Sequence, residues 1–257
     1  MRNRVVVLVG LVVLAAALPL LAQTNTQSVR LFQSYFFDSP IAKAPYGQAG
    51  LVYSDYEGGS IFSVGPQGGF PINDKIEVEG ALSYVSSSPE HGDGQSGISD
   101  LEVYGRYNLA NSKQFNGSVG AMVTLPIGSE DIGAGNLNFG GFGALRYALQ
   151  NGMVITGTLG LIFYETTTYD VDLQTGRVEE KTSHENYLNL GAGAIYPLSG
   201  LLHLVGELVM HTEGDYMLLS AGADYKVGNG RLRGALGIGL DDGAPDLQLM
   251  AGYAISF

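Results

Sequence analysis

Along most of this chain, side chains of contrasting character alternate with a period of two, most plainly at its end. In Asp246 to Phe257 (DLQLMAGYAISF), Leu247, Leu249, Ala251, Tyr253, Ile255 and Phe257 share one phase. Gln248, Met250, Gly252, Ala254 and Ser256 share the other. Successive residues of an extended strand point to opposite faces, so this pattern predicts a strand with one apolar face. Hydrocarbon on that side and a polar lumen on the other would satisfy both faces. A soluble domain rarely leaves an apolar ring on a terminus that frays in water.

Turn-forming residues divide the preceding sequence into similar segments. Strands are expected near 47–56, 59–71, 75–87, 97–108, 114–126, 135–149, 152–166, 183–197, 201–212, 215–227, 230–241 and 245–257. Each approaches or exceeds the ~9–11 residues that a tilted strand needs to cross a bilayer. Their number is even, as a closed barrel with both termini on one side requires. Short connections (72–74, 110–113, 150–151, 199–200, 228–229) largely alternate with longer ones (88–96, 128–134, 167–182, 242–244). The connections 57–58 and 213–214 fall on the long side yet are short, and read as clipped hairpins. Phe70, Tyr107, Tyr147, Tyr196, Tyr225 and Phe257 each stand just before a short connection or the chain end, in phase with the apolar face. An apolar ring suits the edge of a membrane, so these six predict a periplasmic aromatic girdle. The expected fold class is therefore all-β: a transmembrane antiparallel up-and-down β-barrel of about 12 strands, residues 47–257, with both termini periplasmic.

Composition agrees. Charged residues make up 15% of the chain and mean hydropathy is +0.12. Beyond residue 22, however, no apolar run is long enough for a spanning helix. Thirty-eight glycines sit mostly inside the strand-like segments, where they permit curvature and close backbone approach. Cysteine is absent, which avoids stray disulfides in an oxidising compartment. A net charge of −12 argues against nucleic acid as a partner. Acidic residues gather in the connections (Glu90, Asp93, Glu130, Asp131, Asp170, Asp172, Glu179, Glu180, Asp241, Asp242), either as solvated loops or for cation-bridged contact with lipopolysaccharide.

Met1 to Ala22 carries Arg2 and Arg4, then an apolar run, then Leu20-Leu21-Ala22. That order predicts a cleaved secretory signal peptide, residues 1–22, rather than a single anchoring helix. Residues 23–46 form an N-terminal periplasmic arm or plug in this reading, and Phe32, Tyr35, Phe36 and Phe37 make it unusually aromatic. An extra strand or an unstructured tail are the alternatives.

The phase opposite the apolar face holds the charges. Glu79, Glu102, Arg106, Arg146, Glu207, Asp224, Arg231 and Arg233 are the lumen-lining and selectivity candidates. They are expected either to brace the wall as ion pairs or to line a path and select what crosses it. A barrel of this width does not itself decide, because eight strands fill with side chains and sixteen leave a channel. No catalytic residue, cofactor or metal is expected. His203 and His211 share one segment and Ser220 the next, but no nucleophile motif surrounds Ser220. His211 and Glu213 alone make a poor metal site.

Two resemblances sharpen the expectation. The terminal segment ending in Phe257 resembles the signal that outer-membrane barrels present to the barrel-assembly machinery. SGISDLEVYGRYNL (Ser96 to Leu109) and VTLPIGSEDIGAGNLNFGGFGALRYAL (Val123 to Leu149) resemble segments of the MetA-pathway phenol degradation family, with Gly97, Asp100, Leu101 and Tyr107 as the matching positions. Those resemblances imply an architectural role for the four residues and residence in the Gram-negative outer membrane. The implied function is passive passage of a small solute, hydrophobic or aromatic ones included. A closed structural or surface-interaction barrel and an outer-membrane hydrolase are the alternatives. Implied partners are outer-membrane lipid, lipopolysaccharide and the solute.

Overall fold

In a computed structural model, which describes residues 26–172 and 177–257 apart from the side chains at 27 and 167–181, the alternating segments pair into one closed antiparallel wall. The strands are β1 (Tyr46–Tyr56), β2 (Gly59–Pro71), β3 (Ile76–Ala81), β4 (Tyr84–Pro89), β5 (Gln95–Ile98), β6 (Leu101–Asn111) and β7 (Phe115–Leu125). They continue as β8 (Asn138–Ala148), β9 (Val154–Asp172), β10 (Arg177–Pro197), β11 (Leu202–His211), β12 (Met217–Val227), β13 (Gly230–Gly239) and β14 (Leu247–Ser256). β2 pairs with both β3 and β4, and β5 and β6 lie alongside them. Those four segments are thus two interrupted strands, and the 14 segments make a barrel of 12 strands. β1 closes it, pairing with β2 on one side and β14 on the other, Tyr46 opposite Ser256 through Asp55 opposite Leu247. Closure leaves no unpaired sheet edge.

Phase decides which side chains face out. On β14 Leu247, Leu249 and Tyr253 are exposed while Gln248 between them is buried. On β13 Leu232, Leu236 and Ile238 are exposed and Arg233 is buried. An ordinary soluble fold buries such leucines and exposes its arginines; on these strands the order is reversed. Phe70, Tyr107, Tyr147, Tyr225 and Phe257 are exposed at the short-turn end, and Tyr196 shares their phase opposite exposed Leu204.

Several boundaries differ from those expected. The segments 75–87 and 97–108 are not continuous: each breaks, at Leu82-Ser83 and at Ser99-Asp100. The first break faces β2, where Pro66 has no amide hydrogen to offer the ladder, and the second faces the first, the Ser99 amide donating to the Ser83 carbonyl at 2.7 Å. A Cβ on neighbouring Gly65 would lie 2.1 Å from the Leu82 carbonyl oxygen, so only glycine admits this approach. Residues 135–137 belong to a loop, with β8 starting at Asn138. The connection expected over 167–182 is largely strand, with Thr168 paired to Lys181 and Asp172 to Arg177. Its threonines, valines and tyrosine favour extended pairing beyond the wall. The expected signal peptide, 1–22, lies outside the described residues.

Candidate functional site

Residues 26–45 occupy the space that the wall encloses. Glu207 on β11 accepts hydrogen bonds from three successive amides of this segment, Phe32 at 2.8 Å, Gln33 at 2.9 Å and Ser34 at 2.7 Å. Consecutive amides turned toward one carboxylate make an anion nest. Arg233 on β13 donates to the Leu31 carbonyl at 2.9 Å and lies 4.7 Å from the centre of the Phe32 ring. Val29 and Leu31 pack with Val154, Ile195 and Val205, inward residues of β9, β10 and β11. Phe36 stacks on Tyr104 of β6 at 4.5 Å, and Phe37 lies 4.9 Å from Phe142 of β8. Ser39 offers its carbonyl to Asn108 and Ser118 on β6 and β7. The insert thus touches nearly the whole inner circumference.

Its two charged residues before Lys43 both find partners on the wall. Arg30 donates to Glu77 at 2.8 Å. Arg106 donates to the same Glu77 oxygen at 2.7 Å, to Glu79, and to the Asp38 carbonyl at 2.7 Å. Arg146 grips Asp38 with two nitrogens, Nε at 2.7 Å from Oδ1 and Nη2 against Oδ2. Burial alone would raise the Asp38 carboxyl, but the charge and hydrogen bonds of Arg146, aided by Arg30 and Arg106, pull it below its ordinary value. A charge buried here without a partner would cost several kcal/mol, so each pairing is a condition for docking.

Of the residues singled out by phase, Glu79, Arg106, Arg146, Glu207, Asp224 and Arg233 are buried in the lumen. Asp224 binds both Arg231 and Arg233, and Arg231 reaches His203 at 3.1 Å. Glu102 stands apart: among the described residues its carboxylate is held by the Tyr104 hydroxyl alone, at 2.8 Å. Sequence reasoning missed Arg30, Asp38 and Glu77 as site residues. The available signal was that Arg30 and Asp38 are the only charges in residues 23–42, beside four aromatic rings. In such company a charge needs a partner from elsewhere.

Asp100 and Gly97, matched through the family resemblance, hold a loop. The Asp100 carboxylate accepts from the amides of Gly128 at 2.9 Å and Ala134 at 2.7 Å. A Cβ at Gly97 would meet Ser129 Oγ at 2.4 Å, and that hydroxyl accepts from the Ile98 amide. At the loop end the inward rings of Tyr164, Tyr187, His211 and Tyr216 follow one another at 5.8, 4.8 and 4.4 Å. Among the described residues no three His, Cys, Asp or Glu side chains are grouped to hold a metal.

No protein-family model matches the chain, and no curated protein matches it by sequence. Solved structures do resemble it. An outer membrane channel from Pseudomonas putida F1 superposes with a TM-score of 0.67 at 13% identity, over 86% of this chain and 98% of that one. The KdgM porin gives 0.54 at 12% identity, over 82% and 99%. The β domain of the Bordetella autotransporter BrkA gives 0.53 at 15% identity, over 83% and 99%. At such identities the likeness is one of fold, and the fold shared is the closed antiparallel barrel.

Proposed function

We propose that this chain is an outer-membrane channel for a small solute, gated by its own N-terminal segment. The observation that carries this reading is the inversion of polarity: exposed leucines and rings outside, paired arginines and carboxylates within. A charge facing hydrocarbon at mid-depth costs a few kcal/mol, whereas in a lumen it meets water or its opposite. The strands of 10–13 residues suit a tilted crossing. In this reading the short turns and exposed rings face the periplasm and the loops face outward. The first 22 residues direct export and are removed, and Phe257 is read by the assembly machinery. The likeness to an outer membrane channel and a porin supports passage. Membership of the phenol degradation family, and with it a hydrophobic or aromatic solute, rests on the two matching segments and is proposed on the same footing.

A second reading, a structural barrel that passes nothing, is favoured by one observation: the insert fills much of the lumen. Planar-bilayer recordings separate the two. The chain from residue 23 should give discrete steps, and deletion of residues 24–44 should raise the unit conductance several-fold. Silence from both, with folding verified by gel mobility before and after boiling, would establish the closed barrel instead.

A further inference from the structure

Where the insert runs out of the lumen into β1, it does not meet the wall closely. A cavity of about 180 Å³ stays open between them and reaches the surface at exposed Lys43, Asn229 and Ser256. Register gathers its wall side. Arg231 on β13 stands opposite Ala254 on β14, Arg233 opposite Asp224 on β12, and Tyr46 on β1 opposite Ser256. Four basic side chains line the cavity, Arg30 and Lys43 from the insert and Arg231 and Arg233 from the wall, against one acidic side chain, Asp224. Arg30 is answered by Glu77 at 2.8 Å. Asp224 answers both wall arginines, Arg231 at one oxygen and Arg233 at the other, 3.1 Å away. One carboxylate for two guanidiniums leaves a positive charge over. Lys43, whose side chain has no ion pair or hydrogen bond among the described residues, adds a second. Arg233 turns its remaining nitrogens to Gln48 and to carbonyls of the insert. Arg231 also reaches His203 at 3.1 Å, but its Nη1 has no protein partner among the described residues.

We propose that this cavity binds a small organic acid, its carboxylate between Arg231 and Lys43, so that the ligand bridges insert and wall. Surplus charge with an unused guanidinium donor calls for an anion, and a carboxylate matches that planar donor. Arg30, Arg233 and Asp224 are buried, so charge in the cavity is little screened by salt. The side chains of Ile41, Ala42, Ala44 and Ala254 complete the lining and are apolar, which favours an anion carrying carbon over an inorganic one. The rings of Tyr35 and Tyr46 serve the arginines instead, holding Arg233 at 5.3 Å and Arg30 at 4.9 Å. Sites for drug-sized ligands run to roughly 300–1,000 Å³, so this one suits a single ring or a short chain. Half of the lining belongs to the insert, so the site exists only while the insert is docked. Occupancy must therefore favour the docked state. Binding here requires no solute to cross the barrel.

Isothermal titration calorimetry on the folded chain from residue 23 in detergent tests it, with benzoate, benzyl alcohol and inorganic phosphate as probes. Benzoate should bind saturably and at least tenfold more tightly than either of the others. No saturable binding of benzoate overturns the site, and phosphate or the alcohol binding as tightly overturns the class of ligand. Arg231→Gln should weaken benzoate at least tenfold and Lys43→Gln several-fold. Lys75→Gln, at an exposed cation of another short turn, should change nothing; a loss there equal to that at Lys43 would assign the effect to overall charge and overturn the site. Heat-dependent gel mobility verifies folding. Should Arg231→Gln not fold, exposed Lys43 decides, and unchanged affinity in Lys43→Gln overturns the site. Deleting residues 24–44 should abolish binding, and benzoate retained by the remaining wall would overturn the bridge. At benzoate ten times its Kd, proteolysis within residues 26–45 should slow about tenfold, because the docked state alone binds. Unchanged cleavage would overturn the bridge as well. Neither measurement needs conduction. Binding by a barrel silent in bilayers defeats the channel reading alone, and conduction without binding defeats this site alone.

Discussion

Arg146 holds Asp38 through both ends of its guanidinium edge, across 108 positions of sequence. The same arginine donates to the carbonyls of Thr26 at 3.1 Å and Val29 at 2.7 Å, so one wall residue fixes both ends of the first turn of the insert. Planar, bidentate pairing gives direction as well as attraction. Arg146 thus acts as a latch between the wall and the segment that fills it. The bracing foreseen for the inward charges is bracing of the insert at least as much as of the wall.

Breaking that latch should open the lumen. Asp38→Ala leaves Arg146 buried without its counter-charge, a loss on the order of 3–5 kcal/mol for a buried pair. The wall keeps every ladder hydrogen bond. Unit conductance should therefore rise toward that of the chain lacking residues 24–44, while the boiling temperature needed to unfold the barrel stays nearly unchanged. Equal conductance in Asp38→Ala and the parent would show that Asp38 is not part of the latch.

Acid should have a late effect. The docked Asp38 carboxyl lies below its ordinary value, so the undocked state binds the proton more tightly. Its contribution is full above the free carboxyl's pKa of ~3.9 and is lost as pH falls through the lower, docked value. Conductance attributable to docking should hold steady from neutral pH to about 5 and change only below ~4. Arg146→Met reverses the sign, because burial without the cation favours the protonated acid. In that variant acidification should favour docking, and the conductance steps of parent and variant should move in opposite directions.

Much of this was legible in sequence because a barrel repeats one rule. Each strand obeys the same phase, so Arg233, Glu207 and Arg146 were assigned inward from their neighbours alone. Val205 and Leu218 show the limit: both are apolar, yet both face inward and are buried. Period-two reasoning has no means of distinguishing an apolar residue packed on lipid from one packed on an insert. The breaks in β3–β4 and β5–β6 were hidden for a related reason. The first faces Gly65 and Pro66 in a neighbouring strand and the second faces the first, so the cause is non-local. The aromatic residues of 23–46 and the isolation of Arg30 and Asp38 pointed to the lumen, but not to which wall residues they would meet.

Glu207→Gln should loosen the insert less than Asp38→Ala. The carboxylate accepts from Phe32, Gln33 and Ser34 with both oxygens, whereas the amide side chain of glutamine offers one acceptor and turns a donor toward the rest. Charge-assisted bonds are stronger than neutral ones, so the expected loss is ~1–3 kcal/mol. Limited proteolysis within residues 26–45 should accelerate roughly ten- to a hundredfold, since each 1.4 kcal/mol of docking energy is about tenfold in exposed population. An unchanged cleavage rate would mean that the amide nest is incidental to docking.

Gly160 on β9 offers a way to displace the insert without removing a single hydrogen bond. Its missing side chain leaves room for Phe37, whose Cε1 would stand 3.1 Å from a Cβ placed there. The other neighbour is Asn189 Cβ at 3.6 Å, an ordinary contact, so the wall itself tolerates the added carbon. Gly160→Leu therefore asks for the volume that Phe37 fills against Phe142 and Tyr104. Overpacking of this kind costs about 1–3 kcal/mol, and the insert, which the wall grips through its side chains and not through a strand ladder, should yield before the β9–β8 ladder does. Conductance should rise with barrel stability unchanged. Adding Phe37→Ala vacates the same space and should restore closure in part, although Phe37→Ala alone loosens docking. That non-additive pair, measured as a double-mutant cycle, separates a steric seal at this point from a general weakening of the protein: two defects that simply add would leave Phe37 outside the seal.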